Sequence, residues 1–148
     1  MNQYTQQKFV GERALFQSRD LELSYCTFAD GESPLKESKN LKIENCLFQW
    51  KYPLWYCRNV EVKHSTMFEM ARAGIWYTDH ISMEDITYQA PKGFRRCKGV
   101  VLKDINFQNA AETLWNCSQV KMQNVTAKGD YFAMGSSDME IDNFTLVG

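Results

Sequence analysis

The sequence has almost no excess charge of either sign. Its 148 residues include 17 Lys and Arg against 18 Asp and Glu, which gives a net charge of −1. Proteins that hold a nucleic-acid backbone normally carry a basic excess, because each phosphate contact requires a cationic or polar donor. The composition therefore argues against nucleic acid as a partner.

Long apolar runs are also missing. No stretch approaches the roughly eighteen apolar residues of a transmembrane helix. The first residues, MNQYTQQKF, lack the basic and then apolar layout of a secretory signal. We therefore expect a soluble, cytoplasmic protein with no membrane partner.

Signatures of catalysis and metal binding are few. His64 and His80 have no cluster of cysteines or carboxylates near them at ligand spacing. The sequence shows no phosphate-binding glycine loop and no paired carboxylates of the kind that glycoside hydrolysis requires. Glu12 and Glu32 recur at equivalent points but face Lys51, which favours charge balance over calcium binding. We predict no catalytic residue, no metal site and no cofactor.

The five cysteines are an odd number, and their positions repeat along the chain. A disulfide framework requires an oxidising compartment, for which the sequence gives no signal. Buried free cysteine behaves as a small apolar residue. We therefore predict core cysteines in two columns, which are Cys26 with Cys46, and Cys57 with Cys97 and Cys117.

What the sequence does contain is one short pattern repeated seven times. The pattern reads apolar, any, apolar, any, turn, apolar, any, apolar, as in Leu21, Leu23, Cys26 and Phe28. The copies begin at residues 21, 41, 60, 81, 100, 120 and 139, at steps of 19 to 21 residues. A unit this short cannot bury its own core, so successive copies must stack on one another.

Alternation with a period of two predicts strands, and the polar residue in the middle of each copy predicts a corner. Tyr25 and His64 break this column and predict irregular turns, because Asn and Asp tolerate the left-handed conformation of a corner best. The other five corners are Asn45, Asp85, Asp104, Asn124 and Asn143.

A third apolar position in each copy completes a coil of three short strands. The sequence therefore predicts an all-β fold, a right-handed parallel β-helix of about seven coils with roughly 20 residues per coil, in a single domain over 1–148. A leucine-rich repeat has an overlapping period and is the alternative. Pro34, Pro53 and Gly74 disfavour the helix that such a repeat would need in its third segment.

Four segments at the same point of successive coils are distinctive. GERALF (11–16), GESPLKE (31–37), WKYPLWY (50–56) and RAGIWY (72–77) resemble a family of uncharacterised bacterial proteins of unknown function, similar in fold to pectate-lyase-like β-helices. The resemblance implies the fold and no activity. Members of that family are nearly twice as long, which implies that this chain corresponds to an N-terminal half.

The outward residues of the first two strands predict solvated surfaces, a mixed charge column and a threonine ladder. The third strand differs, because its outward column reads Phe16, Lys36, Trp55, Trp76, Arg95, Trp115 and Ala133. Aromatic faces stack on sugar rings, and cations select acidic glycans. We predict non-catalytic binding of an acidic carbohydrate through Trp55, Trp76, Arg95, Trp115, Lys36 and Arg72.

Two alternatives to carbohydrate binding remain open at this point. The indole and guanidinium groups could stack on one another or on another subunit, which would make the protein a structural or assembly scaffold. The third possibility is a polysaccharide lyase, for which no catalytic constellation is recognisable.

The last copy leaves its apolar column uncovered at the end of the predicted helix. Its members are Met139, Ile141, Phe144 and Leu146. Because exposed apolar groups and unpaired strand edges favour association, we expect a two-fold homodimer through this coil. A frayed coil on a monomer is the alternative.

Overall fold

A computed structural model describes residues 2–148, which contain strands and turns and no helix. Each strand pairs in parallel with the strand one repeat away, and eight strands follow one another along the sheet. The fold is therefore an all-β parallel β-solenoid, as the repeat predicted, and it has about eight coils where the repeat predicted about seven. The strands are β1 (Asn2–Thr5), β2 (Lys8–Phe9), β3 (Arg19–Ser24), β4 (Thr27–Phe28), β5 (Lys39–Glu44), β6 (Leu47–Phe48), β7 (Arg58–Met67), β8 (Asp79–Tyr88), β9 (Lys98–Phe107), β10 (Ser118–Lys128) and β11 (Ser137–Val147).

The eighth coil precedes the seven copies of the sequence pattern. Asn2 pairs with Leu21 and Lys8 with Thr27, so β1 and β2 continue the stack at its N-terminal end. The sequence pattern missed this coil because polar Asn2 and Gln7 occupy two of its four apolar positions. The right-handed sense of the helix stays a prediction.

The inward columns match the sequence pattern. Leu21, Leu41 and Val60 are in register on successive coils, and all three are buried. Stacking extends to the rings inside the helix, where Phe28 and Phe48 lie parallel with centroids 5.0 Å apart. One contiguous core thus runs along the axis, and each coil completes the burial of its neighbours.

The prediction of irregular turns at Tyr25 and His64 is wrong. Their φ angles are 54° and 51°, the same left-handed conformation as the 54° of Asn45. The amide of Tyr25 donates a hydrogen bond to the carbonyl of Glu44 on the next coil (3.1 Å), so the stack itself holds the corner. Tertiary pairing therefore overrides the preference of the individual residue for another conformation.

The third segment of each coil pairs less regularly than predicted. It contributes only isolated bridges to the sheet of the described residues, which join Trp76 to Arg95 and Arg95 to Trp115. Pro34 and Pro53 lack the backbone N–H group that a continuous ladder requires. This segment therefore forms a bent side of the coil and not a full strand.

All five cysteines are free and buried, as predicted. The thiol of Cys57 donates to the carbonyl of Leu35 on the preceding coil (3.0 Å), and the hydroxyl of Thr78 does the same to Leu54 (2.7 Å). Burial raises the pKa of both Cys46 and Cys57 to about 11. These thiols therefore remain protonated at neutral pH and act as small core groups.

Two glycines make room for a large ring in the core. A Cβ atom at Gly93 would lie 2.7 Å from the hydroxyl oxygen of buried Tyr88, and one at Gly74 would lie 2.9 Å from it. The glycines are therefore required by the close approach of Tyr88.

No membrane-crossing helix occurs among residues 2–148.

Candidate functional site

The predicted aromatic column exists as a continuous stack over four coils. The rings of Trp55 and Trp76 are nearly parallel, at 5° and a centroid distance of 5.1 Å. The guanidinium carbon of Arg95 lies 4.3 Å from the ring centre of Trp76 on one side and 4.9 Å from that of Trp115 on the other. Because the coils repeat along one axis, equivalent side chains are brought to stacking distance.

The indole N–H groups of the column also bind within the protein. Each donates to a backbone carbonyl of the next coil, which fixes the ring and links the two coils. The donor and acceptor pairs are Trp55 with Ala73, Trp76 with Lys92, and Trp115 with Tyr131.

This geometry changes what the column can offer to a ligand. A sugar ring stacks on an aromatic face, but both faces of Trp76 are covered, by Trp55 and by Arg95. One face of Trp55 is covered in part by Tyr52, whose ring centroid lies 4.6 Å away. At Trp55 and Trp76 the stack therefore presents mainly ring edges to solvent and few free ring faces on which a sugar could stack.

Arg95 is the cation at the centre of the stack. No carboxylate lies within ion-pair distance of it among residues 2–148, and its Nε atom is buried without a protein hydrogen-bond partner. Stacking between two indole rings therefore provides its main observed contacts.

Lys36 and Arg72 do not join the stack. The Nζ atom of Lys36 lies 5.8 Å from the ring centre of Tyr56, at the neighbouring corner. Arg72 is exposed, and within the described part of the chain its side chain forms neither an ion pair nor a ring contact. Of the six predicted binding residues, the structure thus brings four together.

Two features beside the column were missed in the sequence. Tyr56 and Tyr77 form an exposed stacked pair with centroids 4.8 Å apart. Arg19, Lys39 and Arg58 form a column of cations at the start of three successive strands. Each of these cations stands two residues before the first apolar residue of its copy, and that spacing would have revealed the column.

The acidic groups are arranged for charge balance. Lys51 Nζ lies 3.2 Å from Glu32 Oε1, the pairing that the sequence suggested. His64 Nδ1 lies 2.7 Å from Asp85 Oδ2 in an exposed pair between coils, a carboxylate neighbour that the spacing did not predict. Among the described residues, no group of three His, Cys, Asp or Glu side chains could hold a metal ion.

Comparison with known proteins places the chain by family and not by activity. The model of the family described as "Protein of unknown function (DUF3737)" matches residues 2–148. No curated protein matches the sequence significantly.

Solved structures show distant similarity. One is a candidate glycosyl hydrolase from Parabacteroides merdae ATCC 43184, with 11% identity and a TM-score of 0.35 over 94% of this chain and 79% of that chain. Another is QnrB1, a plasmid-mediated fluoroquinolone resistance protein, with 11% identity and a TM-score of 0.23 over 95% of this chain and 83% of that chain. Scores this low support no argument about function.

Proposed function

We propose that this chain, which belongs to the DUF3737 family of proteins of unknown function, is a non-catalytic β-solenoid that acts as an assembly module. The column of Trp55, Trp76, Arg95 and Trp115 supports this proposal, because its ring faces and indole donors are used to join coils. In this proposal the column is an internal brace, and partners bind elsewhere.

The C-terminal coil is the observation that carries the proposal. Ile141 and Leu146 of β11 are 52% and 50% exposed. Their register partners on β10, Met122 and Ala127, are each only 3% exposed. A partner that covered this coil would therefore bury the apolar side chains of β11 as β11 buries those of β10. Each Å² of apolar surface removed from water would stabilise the contact by roughly 25 cal/mol.

The two edges of the sheet differ in a way that indicates the partner. β11 spans 11 residues and pairs only with β10 within the described residues, whereas β1 and β2 span 4 and 2 residues and are rich in Asn, Gln and Lys. A long edge strand with exposed apolar side chains favours pairing, and a short polar edge disfavours it. For the chain 1–148 we therefore propose a two-fold dimer in which β11 pairs with β11 of a second copy.

Replacing Ile141 with Lys is expected to convert the dimer to a monomer without unfolding the chain. A charge at the centre of the proposed interface would be desolvated on association, while in the monomer it lies in solvent. Sedimentation equilibrium measures the change in mass, and thermal unfolding followed by circular dichroism checks the fold.

Val101→Lys is the matched control. Val101 is a strand residue that is 44% exposed, and it lies on a side of the solenoid and not at its end. This variant is expected to remain a dimer. The assembly proposal would be wrong if the unaltered chain were a monomer at high concentration, or if Ile141→Lys dimerised as strongly as the control.

The second candidate function is binding of an acidic carbohydrate along the column. Arg95 supports it, since this half-buried cation has no carboxylate partner among residues 2–148 and could receive one from a uronate. Such a ligand would contact the ring edges and Arg95, with Lys36 and Arg72 on its flanks.

Titration of tryptophan emission with tetragalacturonate and with neutral cellotetraose tests carbohydrate binding. Binding at Arg95 predicts a saturable change with the acidic sugar alone, and Arg95→Gln should abolish it. If neither sugar changes the emission, or if Arg95→Gln responds as the unaltered chain does, this candidate is excluded.

We also propose a cytoplasmic location, which the buried free thiols support. Cys97 and Cys117 lie at equivalent points of adjacent coils and are both free. A reducing compartment maintains free thiols of this kind.

A further inference from the structure

The cation column has an unusual charge arrangement. Arg19, Lys39 and Arg58 are in register on three adjacent coils, and all three are exposed. Neighbouring parallel strands lie about 4.8 Å apart, so three like charges are held close together. Like charges opposite one another destabilise a sheet, which makes this column costly unless an anion binds it. The column ends at Asp79, the register partner of Arg58.

A concavity lies beside the column. Its volume is about 610 Å³, and its lining residues are Arg19, Lys36, Glu37, Lys39 and Tyr56. The guanidinium of Arg19 is oriented by Nη1, which donates to the carbonyls of Ser18 (3.0 Å) and Glu37 (2.8 Å). The remaining donors of this planar group stay available for a ligand.

The nearby carboxylates form no ion pairs with the column cations and accept hydrogen bonds from other groups. Asp20 accepts from the amide side chain of Asn40 (3.0 Å), and Asp79 accepts from the backbone N–H of Lys98 (3.0 Å). Glu37 accepts from Gln17 Nε2 at 3.4 Å. Within residues 2–148, no carboxylate oxygen lies within ion-pair distance of the three cations. The three lining cations outnumber the one lining carboxylate.

We propose that Arg19, Lys39 and Arg58, together with Lys36, bind a linear polyanion whose oxyanion groups reach the cations of three successive coils. The two guanidinium groups would each hold one oxyanion through paired donors, and Lys39 between them would hold the next as a point charge. Phosphate and carboxylate chains share this chemistry. The site shares Lys36 with the carbohydrate candidate but includes no residue of the C-terminal coil, so it does not depend on the assembly proposal.

Calorimetric titration at low salt with inorganic tripolyphosphate tests the site. Lys39→Gln is expected to weaken binding by at least about tenfold, since it removes a charge-assisted contact at the centre of the column. The matched control is Lys98→Gln, at the equivalent position of a later coil beside Asp79, which should bind as the unaltered chain does. Trigalacturonate in place of tripolyphosphate distinguishes a carboxylate chain from a phosphate chain.

Thermal unfolding supplies a second readout. Without ligand and at low salt, Lys39→Gln should melt at a higher temperature than the unaltered chain, because it relieves repulsion that salt otherwise screens. Tripolyphosphate or trigalacturonate should then stabilise the unaltered chain more than this variant. The proposal is overturned if neither anion binds the unaltered chain. It is also overturned if the Lys39→Gln and Lys98→Gln variants bind the anion with equal affinity.

Discussion

The Ile43→Asp variant is expected to be unfolded. Ile43 is fully buried and lies in register between Leu23 and Val62 on the adjacent coils. An unpaired carboxylate there would have no hydrogen-bond donor in an apolar column, a cost of at least several kcal/mol against a typical domain stability of about 5–15 kcal/mol. Circular dichroism should show loss of the β-sheet spectrum, and Leu102→Asp should behave in the same way.

Thr87→Ala is the control for the outward positions. Thr87 lies on the ladder between Thr66 and Asn106, and its side chain is partly solvated. Its replacement should change the free energy of unfolding by less than about 1 kcal/mol. Similar stabilities for Ile43→Asp and Thr87→Ala would contradict the assignment of inward and outward columns.

The Trp76→Ala variant is expected to fold but to lose roughly 2–4 kcal/mol of unfolding free energy. The change removes the stacked contact with Trp55, the cation–π contact with Arg95 and the hydrogen bond to the carbonyl of Lys92. Because these contacts join three coils, the loss should exceed that for an exposed ring. Urea unfolding followed by circular dichroism measures it.

Tyr25→Ala is a suitable comparison, since Tyr25 is 62% exposed and forms no ring stack within the described residues. We expect it to cost less than about 1 kcal/mol. Equal losses for Trp76→Ala and Tyr25→Ala would show that the stack contributes no special stability.

The repeat made the architecture predictable because its period sets the register of every coil. Once Leu21, Leu41 and Val60 are aligned, the parallel pairing and the inward columns follow. The same alignment places Trp55, Trp76, Arg95 and Trp115 in one column, since they recur at the same point of successive coils. The N-terminal coil was not predicted, because the repeat pattern requires apolar residues at the two positions that polar Asn2 and Gln7 occupy.

The orientation of side chains within a column was not predictable from spacing. Register places Trp55 over Trp76, but the side-chain torsions decide whether ring faces point outward or toward the next coil. The indole hydrogen bonds to backbone carbonyls select the second arrangement. For the same reason, the sequence could not show that Lys36 turns toward Tyr56 and leaves the stack.

That the tryptophan column braces the coils is the central claim about this surface, and a double-mutant cycle between Trp76 and Arg95 tests it most directly. Unfolding free energies of Trp76→Ala, Arg95→Ala and the double variant give the coupling between the two side chains. We predict a favourable coupling of roughly 0.5–2 kcal/mol, because the guanidinium lies 4.3 Å from the indole centre. Additive effects, with a coupling indistinguishable from zero, would contradict the brace.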